Sequence, residues 1–173
     1  MATIVLVVLG MLKREALSAY EIQKLVEYRK ISKWVKVSAP SIYKKVLQLE
    51  GKKLIRGTAV KEGKMPEKTV YSLTEAGERE FEALMLTIAA EPIEILLDFN
   101  AVIVNLSSLP PEKQALCVSN IEKNVRLVRE ELEESQREKA GSTEIPETGM
   151  AVLRQQLLLA EAIETWIASL KRG

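Results

Sequence analysis

Between residues 40 and 75 the spacing of apolar side chains changes once, and the change limits the folds open to this chain. From Ser41 to Gly51 the apolar positions Ile42, Val46, Leu47 and Leu49 recur at helical intervals. Beyond Leu54 and Ile55 the rhythm becomes that of strands. Arg56 to Lys61 reads as β, and Lys68-Thr69-Val70-Tyr71-Ser72-Leu73 alternates polar and apolar as a half-buried strand does. Between them Glu62-Gly63-Lys64-Met65-Pro66 has turn chemistry. A helix followed at once by a short hairpin with a charged tip is predicted.

The flanks complete a pattern. Thr3 to Leu12 has helical length and composition. Ser18 with Glu21 three residues later forms a capping box, opening a helix through Ile22, Leu25 and Val26 with Tyr20 near its start. Ser38 is expected to cap the third helix, with Pro40 near its first turn, where a missing N–H is harmless. Thr74, with Gly77 three residues on, opens a helix carrying Phe81, Leu84 and Leu86. Three helices, a strand, a charged tip, a strand and a helix is the order of a winged helix-turn-helix, over about the first 85 residues.

The remainder reads as helical. Pro92 opens or interrupts an apolar helix containing Ile93, Ile95, Leu96, Leu97, Phe99, Val102, Ile103 and Leu106. Leu109-Pro110-Pro111-Glu112 starts a long helix that runs to Ala140, roughly 45 Å at 1.5 Å per residue. Its apolar positions Val118, Ile121, Val125, Val128 and Leu132 step by three and four, the narrow stripe of a coiled-coil seam. After a polar connection at 140–148, a last helix aligns Leu153, Leu157, Ala160, Ile163, Ile167 and Leu170, with Trp166 beside them. The expected fold is mainly α. A winged helix-turn-helix domain with a two-stranded wing occupies 1–88, and an all-α helical or coiled-coil dimerisation and effector domain occupies 89–173. The seam needs a partner helix, from the same chain or from a second copy. The expected interface comprises Val118, Ile121, Val125, Val128, Leu132, Leu157, Ile163 and Trp166.

Charge divides along the same line. The whole chain carries +1, but residues 1–73 hold 15 Lys and Arg against 6 Asp and Glu, while residues 74–173 hold 10 against 18. A basic segment favours a polyanion, because each neutralised phosphate releases condensed counterions. On the predicted topology the third helix enters a major groove and the hairpin tip reaches the neighbouring backbone. Ser38, Ser41, Tyr43, Lys44 and Lys45 are candidates for phosphate contact, and Gln48 for a base edge. Tyr20, Lys61, Lys64 and Lys68 extend that set, and Lys52 and Lys53 add charge after the helix.

Several functions are excluded. The chain has no histidine and a single cysteine, Cys117. Ser-His and Cys-His catalysis, His-ligated metals, intrachain disulfides and four-cysteine zinc sites all fall away. With no glycine-rich phosphate loop either, no enzyme, metal or cofactor is expected. Cys117, between apolar neighbours, reads as core filler. The apolar run at the start lacks a preceding basic segment and a cleavage site, and about ten residues cannot span a bilayer that needs roughly 20. A cytoplasmic protein is expected.

The first half of the chain resembles the PadR family of bacterial transcriptional regulators, named for repressors of phenolic acid metabolism. The similarity rests on Val8-Leu9-Gly10-Met11-Leu12, Leu17-Ser18-Ala19-Tyr20-Glu21-Ile22, Ser41-Ile42-Tyr43, Leu47, Leu49-Glu50, Leu54-Ile55 and Tyr71-Ser72-Leu73-Thr74-Glu75-Ala76-Gly77. Ala19, Lys44 and Lys53 depart from the family pattern, which usually has glycine, proline and glycine there. The resemblance implies a homodimeric repressor of a palindromic double-stranded operator, released by a small-molecule effector. The effector would lie between the winged helix and the C-terminal helices or at the dimer interface, near Trp34, Phe99 and Trp166. The competing reading is a winged helix that docks on proteins and does not bind DNA.

Overall fold

The computed structural model describes residues 2–61, 67–142 and 145–170. Two compact units divide at Ile93 and Glu94. The first contains α1 (Ala2–Leu12), β1 (Leu17–Ser18), α2 (Ala19–Tyr28), α3 (Ser41–Gly51), β2 (Ile55–Val60), β3 (Lys68–Leu73) and α4 (Glu75–Ala90). The sheet is antiparallel in the order β1-β3-β2, with Ile55 opposite Leu73 and Val60 opposite Lys68. Its third strand, β1, was not visible in the sequence. It is two residues long and exists only by pairing Leu17 with Tyr71 and Ser18 with Val70.

Val8, Leu9, Ile22, Val26, Ile42 and Val46 are completely buried and form one core with Leu49, Ile55 and Tyr71. The expected caps of α2 and α4 are present. Ser18 and Glu21 satisfy each other reciprocally, and the Thr74 hydroxyl accepts the Gly77 N–H at 3.1 Å. Thr74 also binds the carbonyls of Lys53 and Leu54, at 2.8 and 3.0 Å, so the start of α4 is fastened to the start of the wing. A Cβ on Gly77 would lie 2.0 Å from the Leu54 carbonyl oxygen, so only glycine permits this approach.

The third helix departs from expectation at its start. Ser38 does not cap it. The chain turns through Ser38 and Ala39, whose carbonyls accept from the Ser41 and Ile42 N–H groups, and Pro40 stands at the N-cap without a side-chain bond. The Ser41 hydroxyl donates to the Ser38 carbonyl at 2.6 Å.

The second unit contains α5 (Asn100–Val104), α6 (Pro111–Lys139) and α7 (Glu147–Leu170). The apolar stretch after Pro92 is not a helix up to Phe99. Residues 92–97 have no regular structure, and α5 is five residues long. No side chain caps α5, and the apolar side chains of 93–96 are exposed, so no amphipathic face stabilises helix there. α6 and α7 pack along one another. Val118, Ile121, Val125 and Ile167 form their apolar contact, helped by Phe99, Ile103, Leu106 and Ile163. Arg129 bridges the pair, its Nε 2.9 Å from the Glu164 carboxylate. Among the described residues no helix is long and apolar enough to cross a membrane.

Candidate nucleic-acid interface

Burial of Ile42, Val46 and Leu49 decides what α3 shows to solvent. The opposite row is Tyr43, Lys44, Leu47 and Gln48, all exposed. The sequence pattern placed Leu47 among the core positions, yet it is 47% exposed. At its end α3 closes in a Schellman motif. The Lys53 N–H donates to the Glu50 carbonyl and the Leu54 N–H to the Leu49 carbonyl, at 2.8 and 3.0 Å. The left-handed position of that motif, which favours glycine, is held by Lys53 at φ +59°. Lys52 and Lys53 are both exposed at this corner.

A cleft of about 720 Å³ lies between α3 and the segment leading into it, lined by Ser38, Ser41, Lys44, Lys45 and Gln48. Lys36 and Ser32 line it too, and sequence reasoning did not single them out. The available signal was Lys36 between Val35 and Val37, an alternation that turns the charge outward while Val37 is buried. The Lys45 ammonium donates to Gln48 Oε1 at 2.8 Å, which leaves the Gln48 amide N–H groups for an external acceptor. Three lysines and three serines lining one open cleft suit a phosphate backbone.

The other candidates sit on other elements. Tyr20, 68% exposed, begins α2 and carries the Lys24 ammonium 5.6 Å from its ring centroid. Lys61 is exposed just beyond β2. Lys64 lies outside the described residues. Lys68 already has a carboxylate partner: its Nζ donates to Glu21 Oε1 at 3.2 Å, tying β3 to the first turn of α2. Glu21 also accepts the Ser18 backbone N–H at 2.7 Å and the Ser18 hydroxyl at 2.8 Å. Those bonds, the backbone one first, hold its carboxyl below the ordinary glutamate range.

In the second unit Phe99 stacks on Trp166 at 6.0 Å between ring centroids. Phe99 also lines a cavity of about 390 Å³ with Ile121, Val125, Val128, Leu132 and Ile163, where Asn124 and Gln156 supply amides. Trp166 is not part of that lining, and Trp34 belongs to the first unit. Of the seam residues, Val118, Ile121 and Val125 are buried within one chain; Leu132, Leu157 and Ile163 are half-buried; Val128 and Trp166 are exposed. Cys117 is half-buried.

A three-stranded antiparallel sheet behind a helix with a cationic outer face defines a winged-helix protein. Residues 8–83 match the transcriptional regulator PadR-like family. That segment is a little under half of the chain, and members of the matched family are transcriptional regulators rather than enzymes. The fold is similar to that of Bacillus subtilis PadR in complex with operator DNA, at 19% identity and TM-score 0.82 over 97% of each chain. It is also similar to the same protein with p-coumaric acid, at 19% identity and TM-score 0.78 over 98% of this chain and 94% of that one. The Vibrio cholerae virulence activator AphA matches at 20% identity and TM-score 0.70, over 96% of this chain and 94% of its own. No curated protein matches the chain.

Proposed function

We propose that this chain is a transcriptional repressor that binds a palindromic double-stranded operator as a homodimer. The observation that carries the reading is the outer face of α3, where Lys44, Lys45 and Gln48 meet Ser38, Ser41 and Lys36 around one open cleft. Each copy would lay α3 in a major groove and its wing over adjacent phosphates, and two-fold pairing would double the contacts. The likeness to a solved structure that holds operator DNA supports it.

The second unit supports the dimer and the effector. Val128 and Leu158 leave apolar surface uncovered on α6 and α7, at 51% and 65% exposure. The cavity beside Phe99, with two amides and no charged side chain among the described residues that line it, suits an uncharged, largely apolar molecule. Such a molecule releases DNA only if it binds one separation of the two α3 helices better than the other.

The test is a salt titration of duplex binding, with a footprint on the DNA upstream of the chain's own gene. The wild type should protect a palindrome, and affinity should fall steeply with salt. Replacing Lys44 and Lys45 with alanine should weaken binding on the order of 10- to 60-fold at 0.1 M salt and flatten the log–log slope by about two. A protein-docking module would show no salt-dependent affinity for any duplex.

A further inference from the structure

We infer that Leu47 reads a thymine: its side chain packs on the C5-methyl group of one T·A pair in each half-site. The inference rests on α3 being the groove-reading helix. Leu47 lies on α3's outward row between Tyr43 and Gln48, and it is 47% exposed, with Tyr43 one turn earlier at 61%. The row is otherwise polar or charged: Lys44 and Gln48 flank the pair. Nothing in the first unit's core holds Leu47, because Ile42, Val46 and Leu49 take the buried side of the helix.

A groove-facing leucine has few partners. The major-groove edges of all four bases are hydrogen-bond donors and acceptors, and the one apolar feature they offer is the thymine methyl. Placed against guanine, adenine or cytosine edges, Leu47 would strip water from polar atoms and return no hydrogen bond. Placed against thymine, it buries methyl against isobutyl and leaves O4 free. The neighbouring Gln48 suits the same base pair, since its Oε1 is occupied by Lys45 and its amide N–H groups remain to donate to O4 or to the adenine N7. Leucine therefore contributes discrimination on a face whose lysines contribute affinity without sequence preference.

The experiment uses the duplex recovered by the full-length protein from a random-sequence pool. Thymines are replaced one at a time by deoxyuridine, which removes only the methyl. The wild type should lose about fourfold in affinity at one position per half-site, the value of one buried methyl. Leu47→Ala should bind the thymine duplex about as weakly as the wild type binds the uracil duplex, and should lose nothing more on deoxyuridine substitution. Leu47→Met, which retains apolar bulk, should keep the methyl dependence. All variants should keep the wild-type salt slope, since no phosphate contact changes. Equal deoxyuridine losses in wild type and Leu47→Ala, or no loss at any thymine, would overturn the inference while leaving the DNA-binding reading intact. Failure of the wild type to recover any duplex would overturn both.

Discussion

The two units differ in how completely they bury themselves. In the first, four helices and three strands close on side chains with no exposed surface at all, such as Val8, Leu9, Ile22 and Ile42. In the second, two long helices meet along a thin seam: Val118, Ile121 and Val125 retain 8% to 9% exposure, and Ile167 alone among them is nearly sealed. A core enclosed by several helices and a sheet can exclude water on all sides of a residue. A pair of helices covers each seam residue from one side only. The first unit closes its core on itself, whereas the second leaves apolar side chains such as Val128 and Leu158 in solvent.

The sharpest way to break that contrast is to open the first core. Gly77→Ala drives a Cβ into the Leu54 carbonyl, which is backbone and cannot swing aside. It should cost about 3 kcal/mol or more, read as a large fall in the melting temperature of the first unit. An unchanged melt would show that the α4–wing junction is looser than drawn.

The second unit is tested at its exposed apolar positions. Val128→Glu with Leu158→Glu leaves the buried seam residues untouched and places charge on exposed apolar surface. If a second copy covers that surface, light scattering should show the dimer dissociating, with affinity between copies reduced by about 30-fold or more. A dimer of unchanged mass would place the interface elsewhere.

Smaller effects sharpen the description of the first unit. Glu21→Gln removes the charge that Ser18 and Lys68 hold in place and should cost at most about 1 kcal/mol at pH 7, because the side chain is half-buried and solvent still screens it. The folded-state pKa of Glu21 lies below its unfolded value, so its contribution is present above the unfolded value and disappears as pH falls through the folded one. The gap in melting temperature between wild type and Glu21→Gln should narrow as pH falls below about 4.5, the ordinary glutamate value. A constant gap would assign the effect to packing.

The smallest effect has the opposite sign. Lys53 sits at φ +59° in a motif that favours glycine. Lys53→Gly should stabilise the first unit by roughly 0.5–1 kcal/mol by relieving the left-handed backbone. It should also weaken duplex binding, if the lysine is kept there for its charge. Stabilisation without loss of binding would remove Lys53 from the interface.

Much of this was legible from local signals. The caps at Ser18 and Thr74 act over three residues, so two residue identities and a spacing suffice to place them. The helical and strand periods bracketing α3, β2 and β3 are equally local. What escaped the sequence depends on distant partners. β1 is two residues of no intrinsic strand character, defined by β3 more than fifty positions away. Lys68 looked like a free phosphate donor until Glu21, 47 residues earlier, came within hydrogen-bond reach.

The amino-acid order alone determined the helix and strand periods, the two local caps, the basic and acidic halves, and the chemistry ruled out by the absence of histidine. Those follow from nearest-neighbour sterics and side-chain identity, which need no knowledge of the rest of the chain. Only the tertiary structure decided which side of α3 is covered. Its apolar positions span more of the helix than the core can take, and packing buries Ile42, Val46 and Leu49 while leaving Leu47 in water. Burial is a property of what lies opposite, and that is set by the whole fold.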